Sequence, residues 1–381
     1  MKIAIICDWL VTTAGAEKFL SEILHIYPHA DLFSLIDFIP QDQRAFILNK
    51  PVTTSFLQHI PFIKKYYRYF LPLMPLAIEN LDVSSYELII SISHAVAKGV
   101  ITGPDQLHIS YVHSPMRYAW DMQHQYLQES GLDGGVKGYL AKYMLHKMRI
   151  WDYRTSHGVD HFMANSNFIA RRVFKTYRRV AKVIYPAVDL SLFKPSGKPK
   201  ENFYFAASRL VPYKKMDLIA KCFAAMPDKR LVMMGDGPDK DKVCQQLAPN
   251  ITFLGYGSNE VLIDHLQRAK ALVFAAEEDF GLVPIEAQAC GTPVIAFGKG
   301  GALETVQDLT HSHPTGVFFA AQTVESMQQA IEAFELRQHV FTLENCLQQA
   351  RKFDVATFRQ AFSKYVDEKV AQFKQGKMSY E

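Results

Sequence analysis

Two glutamates stand on either side of a glycine-containing segment in the second half of the chain. Glu278 and Glu286 lie in EEDFGLVPIE, which directly follows the apolar run ALVFAA. Pro284 suits the first turn of a helix, so Glu286 is predicted to project from the start of that helix. The two carboxylates could accept hydrogen bonds from vicinal hydroxyls, such as those of a sugar or a ribose. Complementing a helix dipole would also explain Glu286, but it would not explain Glu278.

Two neighbouring features suit a bound anion. Between the glutamates, the N-terminus of the predicted helix would offer the backbone N–H groups of Phe280, Gly281 and Leu282. Earlier in the chain, Arg209 and Lys214 lie in ASRLVPYKK, where a strand ends and a helix begins. Cations at a first helical turn oppose the helix dipole, so a bound diphosphate would offset their cost. Solvated surface charge is the alternative interpretation of these cations.

Two residues of the first half also follow predicted strands. His113 ends LHISYVH and precedes the polar and aromatic segment SPMRYAWD, so its imidazole could contact a reacting group. A structural role is the alternative for a lone histidine. Gly15, in TTAGAEKFL, would let a ligand approach the backbone closely, although a simple turn glycine explains it equally well. This segment lacks the GxGxxG dinucleotide fingerprint.

No metal site and no bound cofactor are predicted. Asp239 and Asp241 have an Asp-x-Asp spacing seen in some metal–nucleotide sites, but they open a predicted helix, where acids complement the dipole. The cysteines are odd in number and none has CxxC spacing: Cys7, Cys222, Cys244, Cys290 and Cys346. This pattern indicates a reducing compartment and argues against a disulfide framework and a zinc ribbon.

The elements that must position these residues alternate between strand and helix. Twelve β-rich runs, most of them continuously apolar, read as buried parallel strands, with amphipathic helices between them. This alternation predicts two doubly wound α/β domains with ligands bound at the carboxyl ends of their strands, in a cleft between the domains. The predicted boundaries are a first domain over residues 1–188, a linker over 189–202, a second domain over 203–353 and a C-terminal helix over 354–381 that packs back toward the first domain.

Composition bounds the class of protein. Of the 381 residues, 49% are hydrophobic and 21% are charged, which is ordinary globular composition with material for more than one core. A net charge of +4 does not argue for nucleic acid, and no nucleic-acid partner is predicted. The N-terminal apolar run stops at Asp8 and no stretch reaches the roughly 20 apolar residues that span a bilayer, so a cytoplasmic protein is expected.

Several motifs resemble, in order, the retaining GT-B glycosyltransferases of family 4. Besides the segment of the glutamate pair, extended to EEDFGLVPIEAQACGTPVIAFGKGGALETV, they are AGAEKF, HSPMRYAWD, ANSNFIARRV, VIYPAVD, SRLVPYKK, MGDGP, FLGYGS and TGVFF. The resemblance covers nearly the whole chain and implies a GT-B fold and hexosyl transfer. It is greatest to bacterial mannosyltransferases of O-antigen and exopolysaccharide assembly, which implies GDP-mannose as donor and a lipid-linked oligosaccharide as acceptor.

The resemblance also implies roles for matching positions. Arg209 and Lys214 would bind the donor diphosphate, Glu286 the ribose and Glu278 the donor hexose, with the backbone of Phe280, Gly281 and Leu282 near sugar and phosphate. His113 would face the transferred sugar and Gly15 would lie near the phosphates. The family usually has two adjacent glycines in this first loop, but here Ala14 replaces the first. A GT-B sugar-nucleotide epimerase and a non-catalytic sugar-nucleotide-binding protein are the alternative functions.

Two stretches of the predicted acceptor domain combine basic and aromatic residues. Residues 55–79 carry Lys64, Lys65 and Arg68 among many aromatics, and residues 136–151 read as a basic helix with an apolar face. Such composition suits an anionic bilayer surface, which predicts peripheral attachment to the inner face of the cytoplasmic membrane. The alternative is that the aromatics are core residues and the cations their solvated edge.

Overall fold

The computed structural model describes residues 1–11 and 15–376, which form two compact α/β units. The first unit is Met1–Tyr185 together with the segment that begins at Phe358, and the second is Pro186–Thr357. Each unit is built around one parallel β-sheet with helices between successive strands.

The sheet of the first unit has seven parallel strands in the order β3-β2-β1-β4-β5-β6-β7. Its strands are β1 (Ile3–Cys7), β2 (Asp31–Ser34), β3 (Val52–Thr54), β4 (Leu88–Ser93), β5 (Leu107–Val112), β6 (His161–Ala164) and β7 (Ala181–Val183). Strands β4 and β5 are buried along their whole length, as expected of strands covered on both faces.

Most helices of this unit connect its strands, and the last one comes from the C-terminal part of the chain. They are α1 (Gly15–Ile26), α2 (Ile63–Tyr66), α3 (Met74–Glu79), α4 (Gln123–Glu129), α5 (Gly135–Thr155), α6 (Asn167–Tyr177) and α14 (Val355–Lys374). Short 3₁₀ turns cover Gln41–Ile47, Phe56–His59, Tyr67–Leu73, Ala97–Gly99 and Ser156–Gly158. Phe358 and Phe362 of α14 pack edge-on against Phe19 of α1, with ring centroids 5.2 and 6.3 Å apart.

The second unit has six parallel strands in the order β10-β9-β8-β11-β12-β13. They are β8 (Tyr204–Ala207), β9 (Leu231–Met234), β10 (Ile251–Phe253), β11 (Ala271–Phe274), β12 (Val294–Phe297) and β13 (Gly316–Phe319). Strands β8 and β11 are neighbours, and the strand order reverses between them. The carboxyl ends of these two strands therefore form the topological switch point at which open α/β sheets bind ligands.

Helices flank this sheet on both faces. They are α7 (Met216–Ala224), α8 (Lys240–Cys244), α9 (Asn259–Arg268), α10 (Leu282–Ala289), α11 (Ala302–Thr305), α12 (Val324–Leu336) and α13 (Leu343–Arg351), with 3₁₀ turns at Pro212–Lys214 and Gln338–Val340. Ser258 and Thr323 cap α9 and α12 by accepting backbone N–H bonds. No helix within the described residues is long and apolar enough to cross a membrane.

The segment that its composition marks as a linker, residues 189–202, lies inside the second unit. Phe193 is buried, and Lys200 Nζ donates to the carbonyl of Gln267 at 2.9 Å. Desolvation of this ammonium lowers the pKa of Lys200 to about 8. The chain crosses between the units at Tyr185–Pro186 and again at Thr357–Phe358. Polar composition predicted a connection here, but a buried ring and a lysine hydrogen bond fix the segment to its own unit.

Candidate functional site

The switch point of the second unit collects most of the residues singled out in the sequence. Arg209 and Lys214 follow β8, and the segment from Glu278 to Glu286 follows β11, the neighbouring strand. Parallel strands bring these loops to the same edge of the sheet. The residues that the sequence analysis places after predicted strands of this unit therefore lie at one edge of its sheet.

Lys214 and Glu278 form an ion pair across the switch point. Lys214 ends the 3₁₀ turn Pro212–Lys214, and its Nζ contacts Oε1 of Glu278. The two side chains are only 12% and 16% exposed, so water screens their attraction less than it would on an open surface. Two residues that lie far apart in the sequence thus form an ion pair in the fold.

Two glycines hold the backbone beside Glu278. Gly300 and Glu278 form a parallel β-bridge, and the N–H of Gly301 donates to the carbonyl of Glu278 at 2.8 Å. A Cβ on Gly301 would collide with the backbone of Phe280, and a Cβ on Gly300 would collide with the carbonyl of Glu278. Sequence reasoning missed this role, although the glycine pair in FGKGGALE was visible after β12.

Gly281 forms the junction between the glutamate segment and α10. Its φ of +87° favours glycine, and the helix begins at the next residue, Leu282. No side chain within the described residues caps this helix. The side chain of Phe280 is buried and packs edge-on against Phe353 at 5.6 Å between ring centroids. Phe280 therefore anchors the turn through its ring.

Glu286 lies in the second turn of α10 and is only 5% exposed. Burying a carboxylate is costly unless it is paired or hydrogen-bonded, so this is more than a charge placed on the helix surface to complement its dipole. Burial raises the pKa of the Cys290 thiol, one turn later, to about 12, and the negative charge of Glu286 adds to that rise. Glu286 is thus a buried acid in the helix that starts at the switch point.

Arg209 has a different environment from Lys214. Its side chain is exposed and makes no ion pair or hydrogen bond with any residue that the structure describes. Its guanidinium offers five donors that suit a bidentate contact with phosphate or carboxylate. The site therefore has one cation already paired with an acid and one available to a ligand.

His113 belongs to the first unit, where it follows β5. Its backbone N–H donates to Ser93 O at 2.9 Å, and its ring packs edge-on against Phe19 and Tyr111. Burial, with a smaller contribution from His94, lowers the pKa of His113 to about 3, so the imidazole is neutral near neutral pH. Its buried Nε2 makes no hydrogen bond within residues 1–11 and 15–376. An orphaned polar atom at a strand end is consistent with a ligand contact.

Two further predictions concern backbone positions. Gly15 is the first residue of α1. Ala14, which replaces the usual glycine of the resembled family, lies outside the described residues. Asp241 lies in the first turn of α8 and Asp239 caps it without a side-chain hydrogen bond. The described part of the chain contains no cluster of His, Cys, Asp or Glu side chains suited to a metal ion.

Comparison with known proteins finds a family match over the segment that contains this site. Residues 189–353 match the family model described as "Glycosyl transferases group 1". D-inositol 3-phosphate glycosyltransferase of Mycobacterium sp. (strain KMS) is 32% identical over 173 residues, which is 38% of this chain and 38% of that protein. The matched part thus spans well under half of this relative.

Solved structures match over nearly the full length. Anabaena HepE in complex with UDP superposes with a TM-score of 0.70 at 20% identity, covering 97% of this chain and 100% of that one. Sucrose-phosphate synthase from Thermosynechococcus elongatus superposes with a TM-score of 0.74 at 18% identity, with the same coverage. The predicted fold class is confirmed: the chain has the two Rossmann-like α/β units of the GT-B fold.

Proposed function

We propose that this chain is a glycosyltransferase that moves a hexose from a nucleoside diphosphate sugar to an acceptor hydroxyl. The observation that carries the proposal is the Lys214–Glu278 pair at the switch point of the second unit, where exposed Arg209 follows the same strand as Lys214. The match of residues 189–353 to the glycosyltransferase model supports it, because that segment contains all of these residues.

Charge builds up on the diphosphate as the glycosyl–phosphate bond breaks. Preorganised cations stabilise such developing charge, and this stabilisation is often what accelerates an enzyme reaction most. In the proposed mechanism Arg209 and Lys214 bind the diphosphate, and the N-terminus of α10 adds its dipole and N–H groups. Glu278 contacts the hexose and Glu286 the ribose. Transfer with retention follows if the acceptor attacks on the face that the nucleotide leaves, with the departing phosphate taking the acceptor proton.

The donor is the finer part of the proposal. The resemblance to bacterial mannosyltransferases implies GDP-mannose as the donor, with a lipid-linked saccharide of cell-surface polysaccharide assembly as the acceptor. The structural neighbour HepE is solved with UDP and with UDP-glucose, which makes UDP-glucose the donor to test against GDP-mannose. The D-inositol 3-phosphate glycosyltransferases add a phosphorylated polyol to the candidate acceptors.

A thermal-shift screen separates the donors. A ligand present at 100 times its Kd stabilises the native state by about 2.7 kcal/mol, so selective binding raises the melting temperature measurably. We expect GDP and GDP-mannose to stabilise the protein more than UDP and UDP-glucose. The reverse order would assign a UDP-sugar donor, and no shift with any nucleotide would contradict nucleotide-sugar binding.

Incubation with donor distinguishes the three candidate activities. A glycosyltransferase releases nucleoside diphosphate together with a glycosylated acceptor. An epimerase yields free nucleotide or an epimerised sugar without any acceptor, and a binding protein yields neither. We expect full activity in excess EDTA after dialysis, because side-chain cations and a helix N-terminus supply the charge that a metal would supply. Loss of activity that Mg²⁺ or Mn²⁺ restores would contradict this mechanism.

Peripheral membrane binding by the first unit is part of the proposal. Phe62 is 80% exposed, and Phe56 and Tyr66 are 41% and 42% exposed, so these three are not the core residues that the alternative interpretation required. The start of α5 also exposes apolar side chains, at Val136, Tyr139, Leu140 and Tyr143. Exposed aromatics beside Lys64, Lys65 and Arg68 suit the interface of an anionic bilayer.

Sedimentation with liposomes tests this attachment. We expect binding to vesicles that contain anionic lipid, weaker binding as salt rises, and loss of binding when Lys64, Lys65 and Arg68 are changed together to Glu. Changing three exposed cations of the second unit to Glu is the matched control: Lys198, Lys221 and Arg230. Wild-type protein that stays in the supernatant at low salt would show that the acceptor is reached from solution.

A further inference from the structure

The second unit contains a cavity of about 350 Å³ that lies away from its switch point. Lys270 and Pro293 line the cavity and directly precede β11 and β12, so it lies at the amino ends of these strands. Arg209 and Glu278 instead follow the carboxyl ends of β8 and β11. The volume is within the range of small-molecule sites, and glycosyl transfer at the switch point leaves this cavity unused.

The wall of this cavity combines apolar surface with lysines. Phe341 and Leu343 contribute apolar side chains, and the cations of the wall are Lys198, Lys200 and Lys270. None of the lining residues, all of which belong to the described part of the chain, is Asp or Glu. A cavity with this lining favours a ligand that has both a negative charge and an apolar part.

Lys200 brings an ammonium without an acidic partner to this wall. The residue as a whole is exposed, but its Nζ donates to the carbonyl of Gln267 at 2.9 Å and to the hydroxyl of Thr292. Desolvation lowers the pKa of Lys200 to about 8, because these acceptors are neutral. The thiols that face it, Cys290 and Cys346, are neutral as well, since burial raises the pKa of each to about 12. The charge of this ammonium is thus hydrogen-bonded but not neutralised.

The other two lysines differ in their partners. Lys270 Nζ lies 2.7 Å from Oε1 of Glu335, so its charge is already paired. Lys198 is exposed and makes no ion pair with any residue that the structure describes, and the carboxylate of Asp264, which senses its charge, is held by Arg268 at 2.6 Å. Two ammonium groups of the wall are therefore not neutralised. Their charge matches that of a phosphate monoester, which carries about −1.5 to −2 near pH 7, and lysine is a common phosphate binder.

We propose that this cavity binds a small organic phosphate, a monoester whose phosphate group contacts Lys198 and is neutralised by Lys198 and Lys200 together. Its organic part packs against Phe341 and Leu343. The inference goes beyond glycosyl transfer and does not rest on it, because the cavity contains none of the residues assigned to the donor.

Calorimetric titration with phenyl phosphate tests this site. The variant is Lys198→Gln, and the matched control is Lys221→Gln, which changes an exposed lysine of the same unit that does not line the cavity. We expect wild type and the control to bind phenyl phosphate alike and Lys198→Gln to bind it about tenfold more weakly, the scale of one charged hydrogen bond. Phenol lacks the phosphate and inorganic phosphate lacks the ring, so both should bind more weakly than phenyl phosphate.

The pH dependence of the same titration reports on Lys200. An anion stabilises the charged ammonium, so affinity for phenyl phosphate should fall as the pH rises from about 7 to about 9 and Lys200 loses its proton. Lys200→Gln should bind weakly at both pH values. A wild-type affinity that stays the same over this range would overturn the part assigned to Lys200.

Arg209→Ala separates this cavity from the donor site, because the side chain is exposed and belongs to the switch point. We expect this variant to bind phenyl phosphate as wild type does. Weaker binding in Arg209→Ala together with wild-type binding in Lys198→Gln would place the phosphate at the donor site, which would overturn this inference and leave the proposed function standing. A wild-type protein that binds phenyl phosphate no better than phenol would likewise overturn the inference, whether or not the protein transfers a hexose.

Discussion

Lys214 and Glu278 form an ion pair, whereas Arg209 has no such partner within the described residues. This difference decides which substitution isolates ligand binding from folding. Removing Lys214 would leave a largely buried carboxylate without its cation, which costs stability as well as activity. Removing Arg209 leaves no group of the protein unpaired, so its effect reports on the ligand.

We expect Arg209→Ala to lower kcat/KM by about 100-fold or more, the scale for losing one electrostatic stabiliser of a developing charge. The melting temperature of the variant without ligand should be unchanged, because the side chain is exposed. Arg230→Ala, another exposed arginine of the same unit, is the control and should behave as wild type. Steady-state kinetics with saturating acceptor measure kcat/KM of both variants. Near-normal turnover in Arg209→Ala would show that this arginine is a surface charge that does not bind the donor.

The two glutamates should separate nucleotide binding from sugar recognition. Glu286→Gln removes a buried charge of α10, and we expect it to weaken binding of free nucleoside diphosphate by about tenfold, the cost of one charged hydrogen bond. Glu278→Gln should leave that affinity unchanged but slow turnover of the nucleotide sugar. Calorimetric titration of both variants with the nucleotide alone measures this. Equal losses of affinity would disprove the division of roles.

At the scale of the elements, the turn between β11 and α10 depends on two glycines in the loop that follows β12. Gly301→Ala would place a methyl group against the backbone of Phe280, so the segment that carries Glu278 must shift. We expect a loss of stability of about 1–3 kcal/mol, typical of overpacking, and weaker binding of the nucleotide sugar. Gly158→Ala, where a Cβ would meet open space, is the control for both readouts in thermal melts and titrations.

Strand β5 contains a histidine that should make the first unit sensitive to acid. His108 is fully buried, with Nδ1 donating to Gly158 O at 3.2 Å and Nε2 lying 2.8 Å from Ser91 Oγ. Burial lowers its pKa to about 4, below the ordinary value of 6.5. The unfolded chain therefore binds a proton that the folded chain excludes between these values, so stability is complete above about pH 6.5 and falls as the pH drops toward 4.

This histidine should contribute a loss of about 2 kcal/mol in the free energy of unfolding between about pH 7 and about pH 5. His108→Gln removes the titrating group while keeping polar atoms, so we expect its stability to depend less on pH over this range. Exposed His146→Gln should keep the wild-type dependence. Urea unfolding at the two pH values measures all three proteins, and identical pH profiles for wild type and His108→Gln would contradict the assignment.

The sequence predicted elements better than it predicted contacts. The twelve β-rich runs each correspond to a strand, because burial on both faces leaves few polar positions. Sequence reasoning missed β3, Val52–Thr54, a three-residue edge strand with two threonines that is only partly buried. The ion pair of Lys214 with Glu278 could not be predicted from the sequence, because it forms only when β8 and β11 are neighbours in the sheet. Asp8 was interpreted only as the end of a strand, and nothing in the sequence linked it to His94, whose Nδ1 lies 3.0 Å from Oδ2 of Asp8.

In the molecule as a whole, each unit has its own sheet and its own switch point. The second carries Arg209, Lys214, Glu278 and Glu286, and the first carries Asp8, His94 and His113. That one unit binds the donor and the other the acceptor stays a prediction. In each unit, these residues follow one of the two strands between which the strand order reverses, or a strand next to them. The fold itself therefore explains why chemistry-bearing residues so far apart in sequence recur at strand ends.

Donor turnover by wild-type protein and by the Arg209→Ala/Lys214→Ala double variant tests most directly whether glycosyl transfer takes place at the switch point of the second unit. Both would be incubated with GDP-mannose and with UDP-glucose, in the presence and absence of octyl glycosides, while nucleoside diphosphate and glycosylated product are quantified. Wild type should release nucleotide and glycosylated product in equal amounts from one donor, and the folded double variant should lose at least about 100-fold of that rate. Equal turnover by the two proteins, or no consumption of any donor by wild type, would contradict glycosyl transfer at this site.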